Sequence, residues 1–454
     1  MNINNLKIFK QSSLREALKI IEKNMLGTVF VEDEDNIIVG VLTDGDIRRN
    51  LLKGIEIDNP ITNIYNGDFV SCKIGTQRET LIKMLDAHVA VIPLLDDEGK
   101  LEDVASRKHY PITKEDKIFS QSRAPVRISF GGGGSDLTHY FNKEQGAVIN
   151  TAISIYSHAT LKRRKDKKIC IKSADLKKTL TADGLEDALN QEGPFGLILS
   201  VIKLINPDFG FDLFIYSDFP MKSGLGGSAT ISATILGCFN QFRIDPWDQY
   251  EMAELAFQAE RLDLGIAGGW QDQYASVFGG FNFLEFKKDQ NIVHPLRIPK
   301  ETLLQLEESL VLCNTGTIHE SGDIHSDQKN EMQNIEVTKL VKSNVDLCYK
   351  IRNQLLKGQL NDFGLSLNEA WQAKRKLSSK ISSPKLDQIY NDAIKNGAIG
   401  GKLLGAGGGG FFLFYVKAEK RTSLIEHILS SGLTITNFRF EAEGLQGWKV
   451  RESS

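Results

Sequence analysis

The stretch Pro220-Met221-Lys222-Ser223-Gly224-Leu225-Gly226-Gly227-Ser228-Ala229-Thr230 has the residue types to hold an anion. Its glycines remove side chains that would keep a ligand off the backbone. Ser223, Ser228 and Thr230 add hydroxyls that can bond phosphate oxygens or ligate a hard cation. Two acids follow downstream. Glu260 borders an apolar stripe of Met252, Leu255, Ala256, Ala259 and Leu262 on an expected helix opened by Asp245-Pro246. A carboxylate there is costly unless it meets a cation or hydrogen-bond donors. Asp272 sits in Gly268-Gly269-Trp270-Gln271-Asp272-Gln273-Tyr274. The loop favours an anion, most often a phosphate, while each acid also fits a solvated carboxylate on a helix edge.

The elements around the loop agree with that chemistry. Phe211 to Tyr216 alternates apolar and polar residues like a half-buried strand. Ile231, Ile235, Cys238, Phe239 and Phe242 recur at helical spacing. Strand, loop, helix places the free N–H groups and dipole of a helix start at the glycines, which favours an anion. A tight turn with a serine cap fits the same residues. No Gly-x-x-x-x-Gly-Lys-Ser/Thr string occurs, so a Walker loop is excluded. Gly224 to Ala229 fits the looser dinucleotide pattern, but it lies mid-chain after a lengthened turn.

Two further glycine runs flank this one. Arg123 to Phe130 reads as a strand that enters Gly131-Gly132-Gly133-Gly134-Ser135-Asp136-Leu137, where Asp136 could accept bonds from hydroxyls. Gly400 to Gly410 precedes Phe411 to Val416, an expected strand, so its Gly-x-Gly-x-x-Gly string lacks the helix a dinucleotide loop needs.

At 454 residues the chain calls for two or three domains. A net charge of −3 gives no electrostatic reason to expect nucleic acid or an anionic membrane surface. Five scattered cysteines suit a reducing compartment without structural zinc. The start lacks a signal peptide's apolar core and no long apolar run follows, so a cytoplasmic protein is expected. His319 and His325, with Asp323 between them, do not have the spacing of a metal pair on a helix.

Residues 1 to 118 read as a separate unit. A helical stripe (Leu14, Ala17, Leu18, Ile21, Met25) leads to strands at 27–31 and 37–42, then a helix after Thr43-Asp44-Gly45-Asp46. The order recurs: Thr80 to Asp86 as helix, Val89 to Leu95 and Leu101 to Val104 as strands. A period near sixty residues, seen twice, predicts two stacked copies of one unit. Lys108 to Gln121 reads as a linker.

The front unit resembles a tandem pair of CBS modules. Gly40 to Asp46 matches that family's strand–Thr/Ser-x-x-Asp pattern. The resemblance implies an adenine nucleotide, with Thr43 on phosphate and Asp46 on ribose; helix capping is the alternative for the same pair. The second copy lacks Thr/Ser-x-x-Asp, so at most one nucleotide site per pair is expected. Such modules associate face to face, which implies a homodimer.

The three glycine runs, in order over about 330 residues, resemble the GHMP kinases. Ala124-Pro125-Val126-Arg127, Pro220 to Ala229 and Gly405 to Phe411 match their three motifs, with Gly227 replacing a serine. The resemblance implies an α+β fold: the CBS pair, then a two-lobed kinase with a ribosomal-protein-like lobe over 122–300 and a ferredoxin-like lobe over 301–454. It assigns roles residue by residue. Lys222, Ser223, Gly224, Leu225, Gly226, Gly227, Ser228 and Ala229 would wrap the ATP phosphates. Ser228 and Glu260 would hold Mg2+. Asp272 would take the acceptor's proton, with Arg127 beside it. Gly133, Gly134, Ser135, Asp136, His319, Gly407 and Gly408 would line the sugar site. Within the family the wording is closest to the kinases of heptose 7-phosphate, which act at the anomeric hydroxyl and serve surface polysaccharide synthesis. A galactose, fucose or N-acetylhexosamine 1-kinase, or a nucleotide sensor without catalysis, remain alternatives. A phosphorylated substrate needs cations, and Arg163, Arg164, Lys172 and Lys402 are candidates.

Overall fold

A computed structural model describes residues 3–86, 89–107, 109, 118–221, 223–317 and 335–451. The chain forms two compact units, Met1–Lys117 and Ile118–Ser454.

The front unit holds two three-stranded sheets of one design. In the first, Thr28–Glu32 runs parallel to Lys7–Phe9 and antiparallel to Ile38–Thr43. In the second, Val91–Leu95 runs parallel to Cys72–Lys73 and antiparallel to Leu101–Ser106. Both hairpins slip register at the same step, Val31/Glu32 and Leu94/Leu95. Both turn on an aspartate. Asp33 Oδ1 accepts the N–H of Asp35 and of Ile37, and Asp96 Oδ1 accepts that of Glu98 and of Lys100. The expected internal repeat is therefore present down to its turn chemistry. Met25, expected in the buried stripe, is instead the exposed left-handed cap of the helix Leu14–Asn24.

The second unit is built on two sheets. The eight-stranded sheet is organised by one long strand, Gly146–Arg163. One side of it pairs with Ile118–Gly131. The other pairs with Phe281–Phe286 at its start and Phe211–Ser217 at its end. The strand expected from Arg123 already begins at Ile118, inside the expected linker. The chain end returns to this sheet, because Gln446–Arg451 pairs with residues 118–123. The four-stranded sheet is antiparallel, in the order Ala398–Leu403, Phe411–Val416, Leu310–Asn314, Thr434–Thr436. In chain order helices follow Leu310–Asn314 and Phe411–Val416, which makes this the ferredoxin-like β-α-β-β-α-β arrangement.

Two local departures matter for the site. The helix expected from Asp245 begins at Gln249, because Asp248 and Glu251 form a reciprocal capping box there. That helix then widens into a π-turn over Gln258–Asp263. The wider turn shifts the side-chain register. Glu260 moves inward to 4% exposure and Leu262, expected in the buried stripe, points out at 68%.

Candidate active site

The cleft of the second unit is lined by residues from all three glycine runs, among them Gly133, Asp136, Gly224, Gly226 and Gly405. The central loop delivers the helix Gly227–Asn240, whose N-cap is Gly226 with no side-chain cap. The first turn's bond runs from Thr230 N to Gly226 O, so the N–H groups of Gly227, Ser228 and Ala229 lie ahead of the helical ladder. Ser223 Oγ is buried and has no partner among the described residues. Unfilled N–H groups, a positive helix end and an orphaned hydroxyl fit a phosphate.

The third glycine run clamps this loop from behind. A side chain on Gly405 would come within 2.7 Å of Gly224 Cα, so backbone meets backbone there and only glycine fits. Arg127 ties the first strand to the same loop. Its Nη1 donates to Gly224 O at 2.8 Å, and its N–H donates to Leu225 O at 3.2 Å. The other side of the guanidinium holds Asp272, with Nη2 at 2.6 Å and Nε at 2.9 Å from Oδ1. Oδ2 keeps no donor among the described residues. A carboxylate with one oxygen fixed and one open is suited to accept a hydroxyl proton.

Asp136 reaches the same space. It accepts from Gly134 N at 3.1 Å and from Gln271 N at 3.4 Å. Burial, then the nearby Asp272 charge, push its carboxyl above the usual range. Gly269 permits the approach: a Cβ there would lie 1.8 Å from Asp136 Oδ2. Glu260 receives Gln273 Nε2 at 3.0 Å and pairs with Arg261 at 3.1 Å. Burial raises its carboxyl, opposed by Arg261, and Ser228 lines the cleft beside it. Ser228 and Glu260 thus form an adjacent pair of hard oxygen donors on the cleft wall, a set that fits Mg2+.

Other expected residues are placed differently. Ser135 Oγ is taken up inside its own loop, donating toward Gly132 O and Ala147 O, and it does not line the cleft. Gly407 and Gly408 pack on Ile381, whose carbonyl accepts from Gly408 N, so Gly405 and Ala406 face the cleft instead. Leu225 is buried behind the loop, while Ala229, its side chain buried, still lines the cleft as expected. Arg164 pairs with Asp166 and Asp212, and Arg163 lies over Phe209, both away from the cleft. Lys172 pairs into the sheet beside Phe214, also away from it. Lys402 is buried, and burial followed by Arg127 pulls its ammonium down to about 8. Lys222, His319, Asp323 and His325 lie outside the described residues.

In the front unit, Thr43 and Asp46 form a capping box for the helix Asp44–Leu52. Asp46 N donates to Thr43 Oγ1 at 3.1 Å, and Thr43 N and Oγ1 both donate to Asp46 Oδ2. Arg49 holds the other carboxylate oxygen. The second copy repeats part of this motif, with His109 N donating to Ser106 Oγ at 3.1 Å.

Residues 196–280 match the GHMP kinases N terminal domain and 351–431 the GHMP kinases C terminal domain. The D-glycero-alpha-D-manno-heptose 7-phosphate kinase of Campylobacter jejuni is 36% identical over 339 residues, covering 73% of this chain and 99% of that enzyme. The chain is a GHMP kinase. Residues 1–53 match the CBS domain, and the second sheet extends the same topology beyond them. The chain also resembles the L-fucokinase/L-fucose-1-P guanylyltransferase of Bacteroides fragilis, at 27% identity over 80% of this chain and 42% of that one. Among solved structures, a D-glycero-D-manno-heptose 1-phosphate kinase from Bacteriodes thetaiotaomicron superposes with a TM-score of 0.61 at 29% identity, covering 73% of this chain and all of that one. As a GHMP kinase with sugar kinase homologues, the protein is an ATP-dependent phosphotransferase. No helix among the described residues is long and apolar enough to cross a membrane.

Sequence reasoning missed Lys374, which also lines the cleft. Its signal was present. It follows Leu360, Phe363, Leu367 and Trp371 at helical spacing, a charged residue on an apolar stripe.

Proposed function

We propose that this GHMP kinase transfers the terminal phosphate of ATP, with Mg2+, to the anomeric hydroxyl of D-glycero-D-manno-heptose 7-phosphate. The observation that carries the reaction type is Asp272, its Oδ1 held by Arg127 against the phosphate loop and its Oδ2 without a donor among the described residues. The identity to the Campylobacter heptose kinase supports the choice of sugar.

Each residue then has a task. The N–H groups of Gly227 to Ala229 and the Ser223 hydroxyl bind the phosphates of the nucleotide. Ser228 and Glu260 hold the cation, which supplies charge neutralisation on those phosphates. Asp136 orients the sugar by accepting its hydroxyls. Asp272 accepts the anomeric proton as the oxygen attacks, and Arg127 keeps that carboxylate aimed. For the front unit we propose an adenine nucleotide near Thr43 and Asp46 and association into a homodimer; the nucleotide would have to bind beside the capping box or open it.

Labelled ATP incubated with a panel of heptose and hexose phosphates tests the reading. Label on heptose 7-phosphate in preference to the others is expected. Transfer only to galactose, fucose or an N-acetylhexosamine would replace the substrate, and no transfer by folded protein would favour a nucleotide sensor.

A further inference from the structure

Lys374 has no task in the reading above. It comes from the helix Leu360–Arg375 and is 8% exposed. Its Nζ donates to Leu403 O at 2.9 Å and to Gly405 O at 2.5 Å. A neutral amine satisfies these two carbonyls with its two N–H groups, and protonation adds a third N–H that is left over. No carboxylate pairs with it among the described residues. The side chain lines the cleft together with Gly224 and Gly405. A buried ammonium without a counter-ion is unfavourable, and an apolar residue would fill the stripe at less cost.

The charged groups facing Lys374 come from the surrounding elements. Arg127 stands on the strand Ile118–Gly131 and Lys402 on Ala398–Leu403, and Asp136 lies in the first glycine loop. Asp272, on the helix Gln271–Phe278, is already paired with Arg127. Burial first, then Lys402 and Arg127, hold the Lys374 ammonium well below its ordinary range, and Asp136 opposes them weakly. The local balance is short of negative charge.

We propose that Lys374 is a phosphate contact of this cleft, its remaining N–H taking an oxygen of a phosphate that lies against Gly224 and Gly405. This rests on the kinase reading but goes beyond its residues. The phosphate is either the one ATP transfers or the one the sugar already carries. In both cases the arriving anion supplies the missing counter-charge, so binding draws a proton onto Lys374.

Calorimetry on the full chain in two buffers of different ionisation heat measures both affinity and proton uptake. The probes are a non-hydrolysable ATP analogue with Mg2+, D-glycero-D-manno-heptose 7-phosphate, and the same heptose without phosphate. Proton uptake is expected with one of the two phosphates and not with the bare sugar. Lys374→Met should lose that uptake and at least roughly tenfold in affinity for the same phosphate. Lys374→Gln, which keeps donors for the two carbonyls, serves if the methionine variant does not fold. The phosphate that is affected identifies the source. If the wild type binds no sugar phosphate, the heptose reading fails while the nucleotide arm still reports on Lys374. Wild-type affinity and uptake in both variants, for every phosphate the wild type binds, would overturn the proposal.

Discussion

Two loops in this chain share one pattern, a strand that runs through hydroxyl-bearing residues into a helix. In the front unit the loop satisfies itself. Thr43 and Asp46 bond each other's backbone, and Arg49 covers the remaining oxygen. In the kinase unit the loop leaves its donors open. Gly226 offers no cap, and Ser223 Oγ is buried without a partner among the described residues. The same local order thus yields a closed helix start in one place and an anion cradle in the other. What separates them is the cap residue: a threonine with an acid at the third helical position fills the orphan N–H groups, and a glycine cannot.

The largest effect expected from breaking the open site is at Asp272. Asp272→Asn should lower turnover roughly a thousandfold or more while the affinity for an ATP analogue stays within a few-fold of wild type. Single-turnover kinetics with a separate binding titration would show it; a variant keeping a tenth of the rate would move the proton acceptor elsewhere.

Gly269→Ala comes next. The added Cβ collides with Asp136, so Asp136 or its loop must shift. A displacement of that size should lower kcat/KM for the sugar by roughly a hundredfold and leave nucleotide binding alone. Steady-state kinetics varying each substrate in turn would separate the two.

Lys402 gives a third, on stability. Its ammonium is lowered to about 8 in the fold against an ordinary 10.5. Between those values the unfolded chain binds the additional proton, so stability rises with pH across the window and is flat with respect to this group below it. Lys402→Met should remove a rise of up to about 3 kcal/mol, read as the difference between variant and wild type in urea unfolding at pH 7.5 and 10.5.

The smallest effect sharpens the closed loop. Thr43→Ala should cost about 1 kcal/mol, seen as faster hydrogen exchange in the helix Asp44–Leu52 of the full chain. Unchanged exchange would mean that Thr43 is kept for a ligand and not as a cap.

Much of this was legible in the sequence because glycine runs and alternation are local signals. The three loops, the front repeat and the strands around Phe211 and Phe411 follow from neighbours along the chain. The rest depends on distant contacts. Leu262 could not be placed without the π-turn, which depends on how residues 258–263 pack. Ser135 reads like a ligand group until Ala147, from another strand, takes its hydroxyl. Gly405 reads as one glycine of a run, and only the fold shows that it meets Gly224. Lys374 carried a readable signal in its apolar stripe, and only the fold shows that the stripe ends at the cleft.

The central claim is that Asp272, aimed by Arg127, delivers the anomeric oxygen to the phosphate held at the glycine loop. Phosphorus NMR of the product made from ATP and D-glycero-D-manno-heptose 7-phosphate tests it most directly. The account predicts a second phosphate on C1 with wild type and, at equal protein and time, almost none with Asp272→Asn. A new phosphate on any other oxygen, or equal product from both proteins, would contradict it.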